Sequence, residues 1–179
     1  TPNTVASKDW GNSITRVCTW ARLIDKRSGR GVYLFNAHLD HQSQPSRERA
    51  SELIAEKIRD RAHPDDPVAL MGDFNAGESN PAVRYLRGDT DRASDPDAWP
   101  GHTPPPSPEL LDAFRAANPD ATEVGTFSGF KLGTTTGEKI DHILVSRGTE
   151  VLDATINRES SNGRCPSDHF AVTARVRFP

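Results

Sequence analysis

Four polar clusters carry the residue types that do chemistry in this chain. They are Asn36-Ala37-His38-Leu39-Asp40-His41, Gly72-Asp73-Phe74-Asn75, Lys139-Ile140-Asp141-His142 and Ser167-Asp168-His169. Taken singly, each has an ordinary reading: an Asp-Asn pair after glycine makes a turn, and an Asp-His pair decorates a surface. All four, however, follow or open apolar runs within 179 residues. Carboxylates, an amide and imidazoles at strand ends suit a hard cation, Mg²⁺ or Mn²⁺, acting on a phosphate. The cation would neutralise phosphate charge, a carboxylate would orient or deprotonate water, and an imidazole would stabilise the developing oxyanions.

The elements that must position these clusters alternate between period-2 and helical patterns. Ile14 to Ile24 alternates as a strand, with Trp20 packing at the core or an edge. Asp25 to Gly31 is turn chemistry, and Val32 to Asn36 is the returning strand of a hairpin. Ser46 to Arg61 places Ala50, Leu53, Ile54 and Ile58 at helical spacing, with Ser46 as N-cap and Glu48, Arg49, Glu52 and Lys57 as the solvated face. Val68 to Met71 is a short apolar run suited to a buried strand. Asn80-Pro81 starts a short helix through Leu86, and Ser107-Pro108 starts another through Ala117. Arg87 to Ser107 lacks periodicity and reads as a long surface loop. Ile140 to Val145, Val151 to Ile156 and Phe170 to Phe178 complete the strands. With no internal repeat and no linker, strands interspersed with helices predict one α/β-type domain.

Composition narrows the partners. The formal charge is −3 and the pI is about 6.0, which argues against a strongly basic nucleic-acid binder but leaves room for a local phosphate pocket. Hydrophobic residues make up 34% and the mean hydropathy is −0.66, enough for a core if the apolar residues cluster. No apolar stretch is long enough to cross a membrane as a helix. Two cysteines, Cys18 and Cys165, exclude a disulfide-dense scaffold, and their pairing is left open.

The order NAHLDH, MGDFNA, KIDHILVS and SDHFAV resembles the endonuclease/exonuclease/phosphatase family, the superfamily of DNase I, over roughly Trp10 to Val176. The resemblance implies a four-layered α/β/β/α sandwich, in the α/β (α+β) class. It implies hydrolysis of phosphate esters with Mg²⁺ or Mn²⁺. By the same resemblance His38 contacts the phosphate, Asp73 positions or deprotonates water, and Asn75 orients Asp73. Asp141 holds His169 in its productive tautomer, while Asp168, with Asp73 and Asn75, lies at the metal. Asn36, His41 and Phe127 are candidate substrate contacts, with Phe127 and Phe130 able to stack on a base or leaving group. The expected substrate is a nucleic-acid end, a nucleotide or a small phosphodiester.

The family also uses an early-strand Asn and a metal-binding Glu that have no counterpart here, and Glu48, Glu52 and Glu56 on a helix face are poor substitutes. Residues 1–179 are therefore expected to be the C-terminal two-thirds of such a domain, with an unpaired sheet edge and weak metal binding. A phosphate-binding domain without catalysis is the competing expectation. NAHLDH is also similar to the HxHxDH zinc motif of metallo-β-lactamase-type hydrolases, but Asn36 stands at its first histidine. His142 should point to the face opposite Asp141. His63 and His102 are expected to be solvated, and Asp40 is as suited to capping a loop as to a substrate pocket.

Overall fold

The computed structural model describes residues 4–94 and 101–179. The expected hairpin forms from β1 (Cys18–Ile24) and β2 (Gly31–Ala37), paired antiparallel. Its turn is closed by Asp25, whose carboxylate accepts from the Arg27 N–H and the Ser28 hydroxyl. The strand starts at Cys18 rather than Ile14 because the preceding residues have no ladder partner among the described residues.

α1 (Gln44–Arg59) carries the chain across to β3 (Val68–Asp73), which pairs parallel to β2. Its N-cap is Ser43, which accepts from the Ser46 N–H at 3.2 Å. Pro45 therefore sits in the first turn, where its missing N–H leaves no unpaired donor, and Ser46 lies inside the helix rather than capping it. Asp40 takes the capping alternative: its carboxylate accepts from the Gln42 and Ser43 N–H groups.

α2 (Pro81–Arg87) begins as expected, with Asn80 as N-cap accepting from the Ala82 N–H. The helix expected from Ser107-Pro108 does not start there. Leu111–Asp112 instead forms a short strand, β4, beside β5 (Asp141–Val145), and α3 (Ala113–Ala117) follows with Asp112 as its cap. The Ser107 hydroxyl is drawn off to the Tyr85 carbonyl. The loop expected over Arg87–Ser107 has no helix or strand from 88 to 94 or from 101 to 107, while 95–100 lie outside the described residues.

The sheet order is β1-β2-β3-β5-β4, and β6 (Glu150–Asn157) and β7 (Ala171–Arg177) form a second, two-stranded sheet. One core joins Tyr33, Phe35 and Leu70 of the sheet to Ile54 and Ile58 of α1 and to Val83 and Leu86 of α2. A second core joins Phe114 of α3 to Ala154, Ile156 and Phe170. This is a mixed α+β arrangement, as expected. β1 forms one edge of its sheet, and there Trp20 stays 55% exposed while stacking on Phe35 at 6.0 Å. An apolar cavity of about 470 Å³ opens beside it, lined by Trp10, Val17 and Leu53 among others. Among the described residues no helix is long and apolar enough to cross a membrane.

The solvated face expected for α1 needs one correction. Glu52 is fully buried, accepts from the Ala93 and Ser94 N–H groups and the Ser94 hydroxyl, and lies 3.0 Å from His102. His102 is consequently tied down rather than solvated. A buried carboxylate is tolerable only when so many donors replace its water.

Candidate functional site

The site grows from the ladder between β3 and β5, where Asp73 and Asp141 are directly opposed residues. Strand alternation puts their neighbours Gly72 and His142 on the reverse face. Gly72 is required by close approach: with φ +138°, an added Cβ would lie 1.9 Å from the Ala37 carbonyl oxygen. That approach brings the end of β2, and with it His38, alongside Asp73. The Leu39 N–H donates to the Asp73 carbonyl at 2.9 Å, and His38 Nε2 lies 3.3 Å from Asp73 Oδ2.

After Asp73 the chain turns sharply. Phe74 donates its N–H to Ile140, and Asn75 adopts φ +47°, a left-handed conformation that asparagine tolerates better than most residues. The Asn75 N–H donates to Asp73 Oδ1 at 2.8 Å, and its side-chain amide donates to the Leu39 carbonyl at 3.1 Å. The Gly-Asp-Phe-Asn segment is thus both a turn and a fixture that orients the Asp73 carboxylate.

His169 enters from the segment before β7. An isolated bridge pairs it with Phe127, and the Asp168 carbonyl accepts from the Ser128 and Gly129 N–H groups. His169 Nδ1 lies 2.8 Å from Asp141 Oδ2, while Nε2 lies 3.7 Å from Asp73 Oδ2. Burial opposes a charge on this imidazole. Burial is the largest single influence, but the Asp141 hydrogen bond and the charges of Asp141, Asp73 and Asp168 together exceed it, so the pKa is raised. Phe127 meets the His169 ring edge-on at 5.1 Å and remains 51% exposed.

His38, Asp73, Asn75, Asp141, His169 and Phe127 therefore converge, with Asp168 adjoining. Asn36, one residue before the end of β2, has its amide oxygen beside Gly72. His41 Nδ1 lies 2.9 Å from an Arg16 guanidinium nitrogen. His142 is buried on the opposite face, as alternation requires. Cys18 and Cys165 are free thiols, and burial pushes Cys18 up to about 11.

Among the described residues, Asp73, Asp141 and His169 form the one group of acidic, imidazole or thiol donors close enough together to hold an ion. Their chemistry fits a divalent cation. As placed, Asp141 Oδ2 and His169 Nδ1 are paired with each other, while the other Asp141 oxygen and the Asp73 carboxylate stay within the group.

Sequence reasoning missed a buried charged network behind the site. Lys139 Nζ bonds Asp112 at 2.7 Å and His142 Nδ1 at 2.8 Å, while Glu78 and Arg115 form a two-point pair at 2.7 Å. Burial would raise the Asp112 carboxyl, but His142 and Lys139 override it and hold it well below the ordinary range. The available signal was Asp112 three residues before Arg115, a cap pattern outranked by the Ser107-Pro108 cue.

A Bacteroides vulgatus endonuclease/exonuclease/phosphatase has TM-score 0.79 and 25% identity, over 99% of this chain and 61% of that one. A Bacteroides thetaiotaomicron mannosyl-6-phosphatase has TM-score 0.75 and 26% identity, over 96% and 61%. The human Nocturnin catalytic domain, with a bound sulfate anion, shares the fold at TM-score 0.65 and 19% identity, over 93% and 54%. The chain thus spans about three fifths of the length of the first two structures. No curated protein sequence matches it significantly. The fold is that of the DNase I-like proteins, and residues 2–169 match the sequence profile of the Endonuclease/Exonuclease/phosphatase family. This chain belongs to that family.

Proposed function

We propose that this chain is part of a phosphoesterase that cleaves a phosphate ester by attack of water. The observation that carries the reading is the convergence of Asp73 and Asp141 on His169, with His38 3.3 Å from Asp73. His38, exposed at the end of β2, contacts the phosphate. Asp73, held by the Asn75 N–H, takes the proton from water as its oxygen bonds phosphorus and the bond to the leaving oxygen breaks. His169, whose charged form Asp141 favours, donates its Nε2 hydrogen to a phosphoryl oxygen as charge builds there. Phe127, exposed beside His169, covers the leaving group.

Mg²⁺ or Mn²⁺, held by Asp168 with Asp73 and Asn75, would supply charge neutralisation of the phosphate. The mannosyl-6-phosphatase likeness favours a small phosphate ester, and the net charge of −3 disfavours long duplex DNA, whose binding rises with basic contacts. A non-catalytic phosphate-binding role has one observation behind it: no glutamate joins the three-residue group among the described residues. Phosphate release from a panel of sugar phosphates, nucleotides and phosphodiesters, with Mg²⁺, Mn²⁺ or chelator, tests the proposal. Metal-dependent release from one class supports it, and saturable phosphate binding without turnover supports the non-catalytic role.

A further inference from the structure

Behind the site, Lys139, His142 and Asp112 are buried together, with the half-buried Glu78 beside them. Lys139 is 1% exposed and His142 1% exposed. Lys139 Nζ lies 2.7 Å from Asp112 Oδ2, 2.8 Å from His142 Nδ1 and 3.7 Å from Glu78 Oε1. The other ring nitrogen, His142 Nε2, lies 2.9 Å from the Ala76 carbonyl oxygen, and the ring stacks on Phe74 at 5.0 Å.

These distances fix the proton on His142. A carbonyl oxygen only accepts, so Nε2 must carry hydrogen. An ammonium only donates, so with Lys139 Nζ bonded to Asp112 at 2.7 Å and to Nδ1 at 2.8 Å, Nδ1 is the acceptor. Nδ1 also lies 3.5 Å from Asp112 Oδ2, so Lys139 is its nearer partner. Lys139 thereby selects the tautomer of His142, and that tautomer grips Ala76. Ala76 immediately follows Asn75, whose left-handed backbone aims its own N–H at Asp73. The turn is pinned at its start by the Phe74 N–H on Ile140 and at its end by His142.

We infer that Lys139 and His142 are positioning residues: through the Ala76 carbonyl they set the Asn75 turn and so the aim of the Asp73 carboxylate. Burying an ammonium and a carboxylate carries a desolvation cost that apolar side chains would avoid. Holding a strained turn beside the site gives that cost a function. The inference rests on the phosphoesterase reading for its catalytic consequence but not for its geometry.

The test compares wild type, His142→Gln and His142→Phe. Glutamine offers an N–H to Ala76 and an oxygen to Lys139, whereas phenylalanine keeps the stack on Phe74 and loses both bonds. Nitrogen-15 NMR of the wild type should show the Nε2–H tautomer of His142. The Asn75 side-chain amide and the His169 ring signals should stay in place in His142→Gln and move in His142→Phe. In turnover of p-nitrophenyl phosphate, His142→Phe should lose on the order of 10- to 100-fold in kcat, as when a group orienting a site residue is removed, with KM little changed. His142→Gln should restore most of that rate. An Nδ1–H tautomer, or unmoved Asn75 and His169 signals in both variants, overturns the inference. If His142→Phe fails to fold, the wild-type tautomer decides the matter. Absence of turnover in the wild type counts against the phosphoesterase reading, and the NMR result still decides this one.

Discussion

Asp141 and Asp73 face each other across the β3–β5 ladder, and both carboxylates turn to one imidazole: Asp141 Oδ2 at 2.8 Å from Nδ1 of His169, and Asp73 Oδ2 at 3.7 Å from Nε2. The first contact is a hydrogen bond that fixes the ring. The second, at 3.7 Å, is longer than a hydrogen bond, so the Asp73 oxygen and Nε2 of His169 are not committed to each other.

Asp141→Asn should lower the His169 pKa, because it removes the main contribution that raises it. NMR titration of the ring carbon protons measures this directly. An unchanged His169 pKa would contradict the pairing.

The same shift has a consequence for stability, with a definite sign. His169 has a raised pKa when folded, so its contribution is fully present below the ordinary value of about 6.5 and is lost as pH rises through the folded value. The urea stability of wild type relative to His169→Asn should therefore be greatest near pH 6 and shrink toward pH 9. A difference that grows with pH would contradict the assignment.

Gly72→Ala should destabilise the chain by roughly 3 kcal/mol, from overpacking and a backbone that alanine rarely adopts. The added Cβ would fall 1.9 Å from the Ala37 carbonyl oxygen at φ +138°. Urea denaturation gives the value, and a loss within experimental scatter would show that β2 and β3 can separate at this point.

Residues 1–179 alone should bind Mg²⁺ weakly. Mg²⁺ sheds water reluctantly and relies on one or two well-placed carboxylates. Here Asp141 is engaged by His169, and Glu78 is held by Arg115 and Lys139. Calorimetry should show no stoichiometric binding at about micromolar concentrations. Tight one-to-one binding would show that one of these carboxylates leaves its partner for the ion.

Local signals made much of this legible. The apolar run at Val68 fixed a buried strand, Asn80-Pro81 fixed the start of α2, and the Asp-Asn turn marked the site. Alternation correctly sent Asp141 and His142 to opposite faces. What failed depended on tertiary partners. Glu52 looks like a solvated helix residue until the backbone at Ala93 and Ser94 arrives as its donor. The Ser107-Pro108 cap signal is genuine locally, but Leu111 and Asp112 gain more by pairing with β5. The Lys139 network joins residues from 78 to 142, and no spacing rule connects them.

The central claim is that Asp73 and His169 carry out hydrolysis of a phosphate ester. Steady-state phosphate release by the full-length protein, with Mg²⁺ or Mn²⁺, compared with Asp73→Asn and His169→Ala, tests it most directly. Removing a positioned acid or base should lower kcat by about 10² to 10⁴ in each variant. Metal-dependent turnover undiminished in both variants would contradict the account.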